Sequence, residues 1–223
     1  MKRLFFITCL VFLPSCDSPE LNISKNDWDS QSLKERLSSD PVVENAIIEL
    51  ISSRVKMKSI VENLSLDRKF SLQKELDDYK SQLSRKSSDV LKSFNHINTV
   101  VGNDIMNELV SDYNRKVTIP LIAVIKSLNN PELDEELFGS VFVEILNEFE
   151  KVKFANYRLP VNEAAYNQCV NNSYGCYAQD LVRIFEGPNC SNPQSPYCDF
   201  DITLADLTLQ VNLNGCLLLI LME

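Results

Sequence analysis

Leu207-Thr208-Leu209-Gln210-Val211-Asn212-Leu213-Asn214-Gly215-Cys216-Leu217-Leu218-Leu219-Ile220-Leu221-Met222 is the segment on which the fold class turns. Leu207, Leu209, Val211 and Leu213 alternate with Thr208, Gln210 and Asn212, and a period of two predicts a strand. Asn214-Gly215 adds two residues that tolerate positive φ, the signal of a tight hairpin turn. Cys216 to Met222 is apolar throughout, which predicts a returning strand buried on both faces, or one whose exposed edge pairs with another chain. Seven apolar residues are too few to span a bilayer, which takes about 20 in a helix.

Upstream of that segment the period is helical. Asp40-Pro41 sets a capping acid before a proline whose fixed φ suits the first helical position. Val43, Ile47, Leu50, Met57, Val61 and Leu64 follow at the three-four spacing of one apolar face, with Arg54 interrupting the stripe. Ser65 or Asp67 caps the next pattern, in which Leu72, Leu76, Tyr79, Leu83, Val90, Phe94, Ile97 and Val101 keep the spacing for about thirty residues, until Gly102 stops it. A third pattern runs from Ile105 to Val117, and Pro120 predicts a break or kink near Thr118. Asn130-Pro131 repeats the capping device before a broad stripe from Leu137 to Val152. Four long amphipathic helices with short connections imply an antiparallel bundle.

The composition shifts near Pro160. Two shorter helical pieces, about 162–170 and 176–185, bracket a small polar turn, and 187–196 reads as loop. The expected architecture is therefore mainly α: a bundle over residues 41–157, followed by a small disulfide-bearing α+β part over 158–223 that contains the hairpin.

The first residues give an address. Lys2 and Arg3 precede a short apolar run from Leu4 to Leu13, and Ser15 puts a small residue before a cleavage point, the layout of an export signal over residues 1–15. Leu13-Pro14-Ser15-Cys16 resembles the lipobox of bacterial lipoprotein precursors, with Pro14 an uncommon middle residue. That resemblance covers residues 1–16 only. It implies that Cys16 receives a diacylglyceryl group, becomes the first residue after cleavage and is often acylated on its new amino group. Several acyl chains hold a protein firmly, since each buried methylene contributes about 0.8 kcal/mol. The membrane is thus one expected partner, reached through Cys16. Asp17 resembles the inner-membrane retention signal of enteric-type lipoproteins, which favours the periplasmic face of the inner membrane, with the outer membrane as the alternative. Residues 16–40 are rich in Ser, Asp, Asn and Lys and read as a flexible lipidated linker.

Loss of Lys2 and Arg3 takes the formal charge from −9 to −11. So acidic a body argues against nucleic acid as a partner and favours a basic one; solubility explains the charge equally well. After removal of the signal, Cys169, Cys176, Cys190, Cys198 and Cys216 all lie in the last third, and an exported chain meets an oxidising compartment. Cys169 with Cys176 and Cys190 with Cys198 is the expected pairing, leaving Cys216 buried and reduced. No metal site is expected, because the thiols lack close C-x-x-C spacing and His96 is the sole histidine. Five scattered glycines form no phosphate-binding loop, so no nucleotide cofactor is expected either. His96 sits between Phe94 and Ile97 in a helical pattern without a G-x-S-x-G elbow, and reads as a helix-surface or interhelical residue.

Protein–protein binding in the bacterial envelope is the leading expectation, as an inhibitor, an immunity or exclusion factor, or an accessory subunit, rather than catalysis. Glu132, Asp134, Glu135 and Glu136 are the candidate contacts, although a helix N-terminus favours acids there in any case. The hairpin around Asn214-Gly215 is a second candidate region. Small-molecule or glycan binding is the alternative, with Tyr157, Tyr166, Tyr174, Tyr177 and Tyr197 as ligand walls. A hydrolase working through paired carboxylates is the third.

Overall fold

A computed structural model describes residues 28–81, 87–128, 133–153, 163–190 and 196–221; the expected signal peptide, Cys16 and Asp17 lie outside them. Among the described residues there is no strand. The elements are α1 (Ser30–Ser38), α2 (Pro41–Glu62), α3 (Leu66–Ser81), α4 (Ser87–Val101), α5 (Asn103–Tyr113), a π turn (Asn114–Thr118), α6 (Ile119–Ser127), α7 (Glu135–Lys153), α8 (Glu163–Glu186), a 3₁₀ turn (Pro188–Cys190) and α9 (Pro196–Leu221). The chain is mainly helical, as read, but more finely divided than four long helices. No hairpin stands at Asn214-Gly215.

That last correction has a plain physical cause. α9 runs through the middle of the molecule, touching α2, α3, α4, α5, the π turn and α8. Leu207, Leu209, Val211, Leu213, Cys216 and Leu217 are all buried, and so are Asp206, Gln210 and Asn214. From Leu207 onward the helix is buried on nearly every side, Thr208 and Asn212 being half-buried, so the usual three-four alternation of apolar and polar residues disappears. The apparent period of two is an accident of a sequence in which polar residues occupy the buried face as well as the half-buried one. No helix among the described residues is long and apolar enough to cross a membrane.

Elsewhere the local signals act as expected. Asp40 caps α2 by accepting from the Val42 amide at 2.9 Å, and Pro41 occupies the first turn. Gly102 separates α4 from α5 at φ +127°, a conformation that L side chains rarely adopt. Asn130-Pro131 lies outside the described residues, and the start of α7 is marked by Asp134, whose carboxylate accepts from the Leu137 amide at 2.9 Å. The stretch read as a stalk up to Asp40 is helical from Ser30: Asp29 caps α1, Leu33 and Leu37 bury, and Lys34 reaches Glu144 and Glu148 of α7 at 2.7 Å each.

The thirty-residue pattern after Ser65 is not one helix. Ser93 of α4 donates to Glu75 of α3, and Ser71 of α3 bonds His96 of α4, so the two helices run antiparallel. Near Pro120 the irregularity takes the form of the π turn. A proline inside a helix lacks the N–H and crowds the carbonyl four residues back, and the wider turn before it accommodates both.

α8 passes without interruption through Asn171-Asn172-Ser173, where a polar turn was expected, because Ser173 and Tyr174 are buried there. α7 approaches α8 closely at Gly139, where an added Cβ would lie 2.9 Å from the Gly175 carbonyl oxygen. A single hydrophobic cluster runs from Leu33 to Leu217 and includes both the bundle and the cysteine-bearing part.

Candidate functional site

α8 and α9 form an antiparallel pair tied at both ends. Cys169 bonds Cys216, closing a separation of 47 residues, and Cys190 bonds Cys198, closing 8. Cys169 therefore pairs with Cys216 and not with Cys176, and Cys216 is not reduced; Cys176 is not a free thiol either. Short spacing suggested neighbours in sequence, but Cys169 and Cys176 are seven residues apart on one continuous helix, while the antiparallel return of α9 brings Cys216 to Cys169. Ser173 lies beside this bridge, donating to the Cys169 carbonyl at 2.8 Å with the Cys216 sulfur 3.6 Å away.

Between the two bridges lies a buried polar seam. Asp206, Gln210 and Asn214 recur every four residues and so share one face of α9. Thr118, in the π turn, donates to Asp206, and its hydroxyl oxygen lies 2.6 Å from that of Tyr177, which also reaches Asp206 Oδ1 at 3.3 Å. Among the described residues Asp206 Oδ2 and Asn214 Oδ1 are buried without a hydrogen-bond partner, while the Tyr113 hydroxyl and the Gln210 side chain interact with each other. Burial pushes the Asp206 carboxyl up to about 7, with the Thr118 and Tyr177 hydroxyls only partly offsetting it. Burial likewise pushes Tyr113 up to about 12.

The seam continues into α2. Arg54, the residue that interrupts the apolar stripe, is fully buried and ion-paired with Glu150 of α7, and its guanidinium lies 5.9 Å from the centre of the Tyr174 ring. Tyr174 in turn donates to the Leu50 carbonyl at 3.3 Å. Tyr166, Tyr174 and Tyr177 thus pack in the core, whereas Tyr197 is exposed and Tyr157 lies outside the described residues.

The other side of the α8–α9 pair is open. A groove of about 210 Å³ lies between the helices, floored by Ile184, Leu204 and Ala205 and rimmed by Asp180, Arg183 and Asp201. Arg183 is shared: it pairs with Glu135 at the start of α7 through two nitrogens and approaches Asp180 at 3.3 Å. Burial, with a further push from Glu135, raises the Asp180 carboxyl to about 6 against the opposing pull of Arg183. Burial also raises Glu186, again with Glu135 adding to it. Tyr197 (70% exposed) and Phe200 (48% exposed) stand at the start of α9, and Asp201 follows directly.

The acidic group at α7 is divided by this arrangement. Asp134 is the cap, Glu135 is held by Arg183, Glu136 is half-buried in the first turn, and Glu132 lies outside the described residues. His96 Nε2 faces the Ser71 hydroxyl at 3.1 Å and its Nδ1 faces Glu75 at 4.0 Å, the order of a nucleophile, base and acid. Ser71 sits in the interior of α3, where successive backbone N–H groups are spent on the helix and cannot bind an oxyanion. The trio fastens α3 to α4. Among the described residues no group of three or more His, Cys, Asp or Glu side chains could hold a metal ion.

The signal for the seam was present in the chain as the four-residue spacing of Asp206, Gln210 and Asn214, but it becomes visible only on a helix. Asp180 and Asp201 carry no local signal, because the groove is made by the antiparallel pairing. Comparison with protein-family models, with curated proteins and with solved structures finds no match for this chain.

Proposed function

We propose that this chain is a lipid-anchored protein of the bacterial envelope, tethered through Cys16, that acts by binding another protein. The observation that carries the reading is the exposed aromatic edge of Tyr197 and Phe200, beside an acidic groove on a disulfide-tied helix pair. Large aromatic side chains supply much of the binding energy at protein interfaces, and a rigid support reduces the ordering cost of using them. The acidic character of the chain, with a formal charge of −9, favours a basic partner surface and accelerates encounter with one. The lipobox resemblance and Asp17 support a position on the periplasmic side of the inner membrane.

A photo-crosslinking residue at position 200, in the full chain expressed in a bacterial envelope, tests this reading. One discrete protein adduct is expected there, and none from the same residue at the exposed position 99 of α4. Identical adduct patterns at both positions, or none at 200, would count against it.

A further inference from the structure

The groove between α8 and α9 combines two properties that are usually separate. Its floor is apolar, made by Ile184, Leu204 and Ala205, and its rim is anionic. Among the described residues Arg183 is the cation that lines it, and that guanidinium is already engaged by Glu135. Asp180 receives only the remainder of its attraction, at 3.3 Å. Glu135 adds negative charge behind the rim and disfavours ionisation of both Asp180 and Glu186.

An arginine or lysine side chain matches this pattern. Such side chains lay an aliphatic stem along apolar surface and carry the charge at the tip. A stem on Leu204 and Ala205 would bring the charged tip to Asp180. We propose that the α8–α9 groove receives one basic side chain of a protein partner, with Asp180 as its counter-ion. This deepens the reading above and rests on it for the nature of the partner. The exposed Tyr197 and Phe200 would border the same contact and exclude water from it.

Ionisation sets the pH dependence of the contact. The charged groups that face Asp180 are Arg183 on its own helix and Glu135 on α7, with Asp201 of α9 lining the same groove. Only the ionised carboxylate attracts a cation, and Asp180 ionises as pH rises through about 6, so binding strengthens across that range. Bound cation in turn lowers the Asp180 pKa.

The test uses the full chain in detergent micelles, with amide NMR shifts followed during titration with a capped Gly-Arg-Gly peptide. Its neutral counterpart, with citrulline in place of arginine, serves as the comparison. The expected result is that the arginine peptide moves the amides around Asp180, Asp201 and Leu204, while the citrulline peptide does not. Asp180→Asn weakens binding by about tenfold, the scale of one charge-assisted contact, and Glu108→Gln on α5 leaves it unchanged. Asp180→Asn removes a carboxylate whose burial disfavours its charge, so the variant should keep its fold, and unchanged dispersion of the remaining amides verifies this. Equal shifts with citrulline, shifts scattered over other acidic surfaces, or unchanged affinity in Asp180→Asn would overturn the proposal. Arginine binding in the groove without any adduct at position 200 would sink the partner reading and leave the groove. An adduct at 200 with no arginine binding would do the reverse.

Discussion

Asp206 and Asp180 lie on facing helices of one hairpin, and burial raises both carboxyls, but the surroundings of the two acids differ. Asp206 is fully buried and held by two neutral hydroxyls from the π turn and α8, and its second oxygen has no partner among the described residues. Asp180 keeps about a third of its side chain exposed and shares an arginine with Glu135. The difference teaches what a perturbed acid can mean. In the seam, the cost of burying a carboxylate falls on the stability of the fold, whereas at the groove the same kind of cost can be relieved by something arriving from solvent.

The two disulfides divide along the same line, and removing them should give the largest effect. The Cys169–Cys216 bridge borders the seam and closes 47 residues of separation, against 8 for Cys190–Cys198 at the open end. Loop entropy places the first at about 4 kcal/mol and the second at about 2.5 kcal/mol. Denaturant unfolding of the Cys169→Ser/Cys216→Ser and Cys190→Ser/Cys198→Ser chains should show that order. Equal losses would mean that the long bridge does not constrain the seam.

Removing the partner of the buried arginine comes next. Glu150→Ala strands Arg54 in the core and should cost about 3 kcal/mol. Lys34→Ala, which removes two solvent-exposed bridges, should cost much less than this in the same unfolding experiment. Gly139→Ala should cost less than Glu150→Ala, at about 2 kcal/mol, because the new methyl meets the Gly175 carbonyl across the α7–α8 contact. A neutral result there would show that the two helices can separate slightly without loss.

Stability against pH separates the two acids themselves. The Asp206 pKa is raised from 3.8 to about 7, so its contribution is fully present below pH 3.8 and is lost as pH rises through about 7. Within that window stability falls by up to about 1.4 kcal/mol per pH unit from this group. Asp206→Asn should remove that slope, measured as melting temperature between pH 5 and 8. Asp180 contributes with the same sign, lost as pH rises through about 6, but by less, because solvent reaches it. Asp180→Asn should therefore flatten only the acidic part of the curve, and only slightly.

Much of the helical architecture was legible in the chain. Asp40-Pro41, the stripe from Val43 to Val61, and Gly102 each mark a real boundary or face, since they sit on helices with one side in water. α9 was not legible, because Asp206, Gln210 and Asn214 point inward while its apolar residues are spread around the helix. The uninterrupted α8 was hidden for a related reason: Asn171-Asn172-Ser173 has the composition of a turn, and only burial against α9 makes it helix. The reversal between α3 and α4 left the apolar spacing intact on both sides and so gave no sign of itself. The Cys169–Cys216 pairing follows from the antiparallel course of α8 and α9, which no spacing along the chain encodes.

Measuring both carboxyl pKa values in one sample tests the comparison most directly. Side-chain carboxyl carbons of Asp206 and Asp180 can be titrated by NMR, with and without the Gly-Arg-Gly peptide. The structure predicts about 7 for Asp206 whether or not peptide is present, and about 6 for Asp180, falling when peptide is added. Two values that move together, or an Asp180 value indifferent to the peptide, would contradict the division between a sealed seam and an open groove.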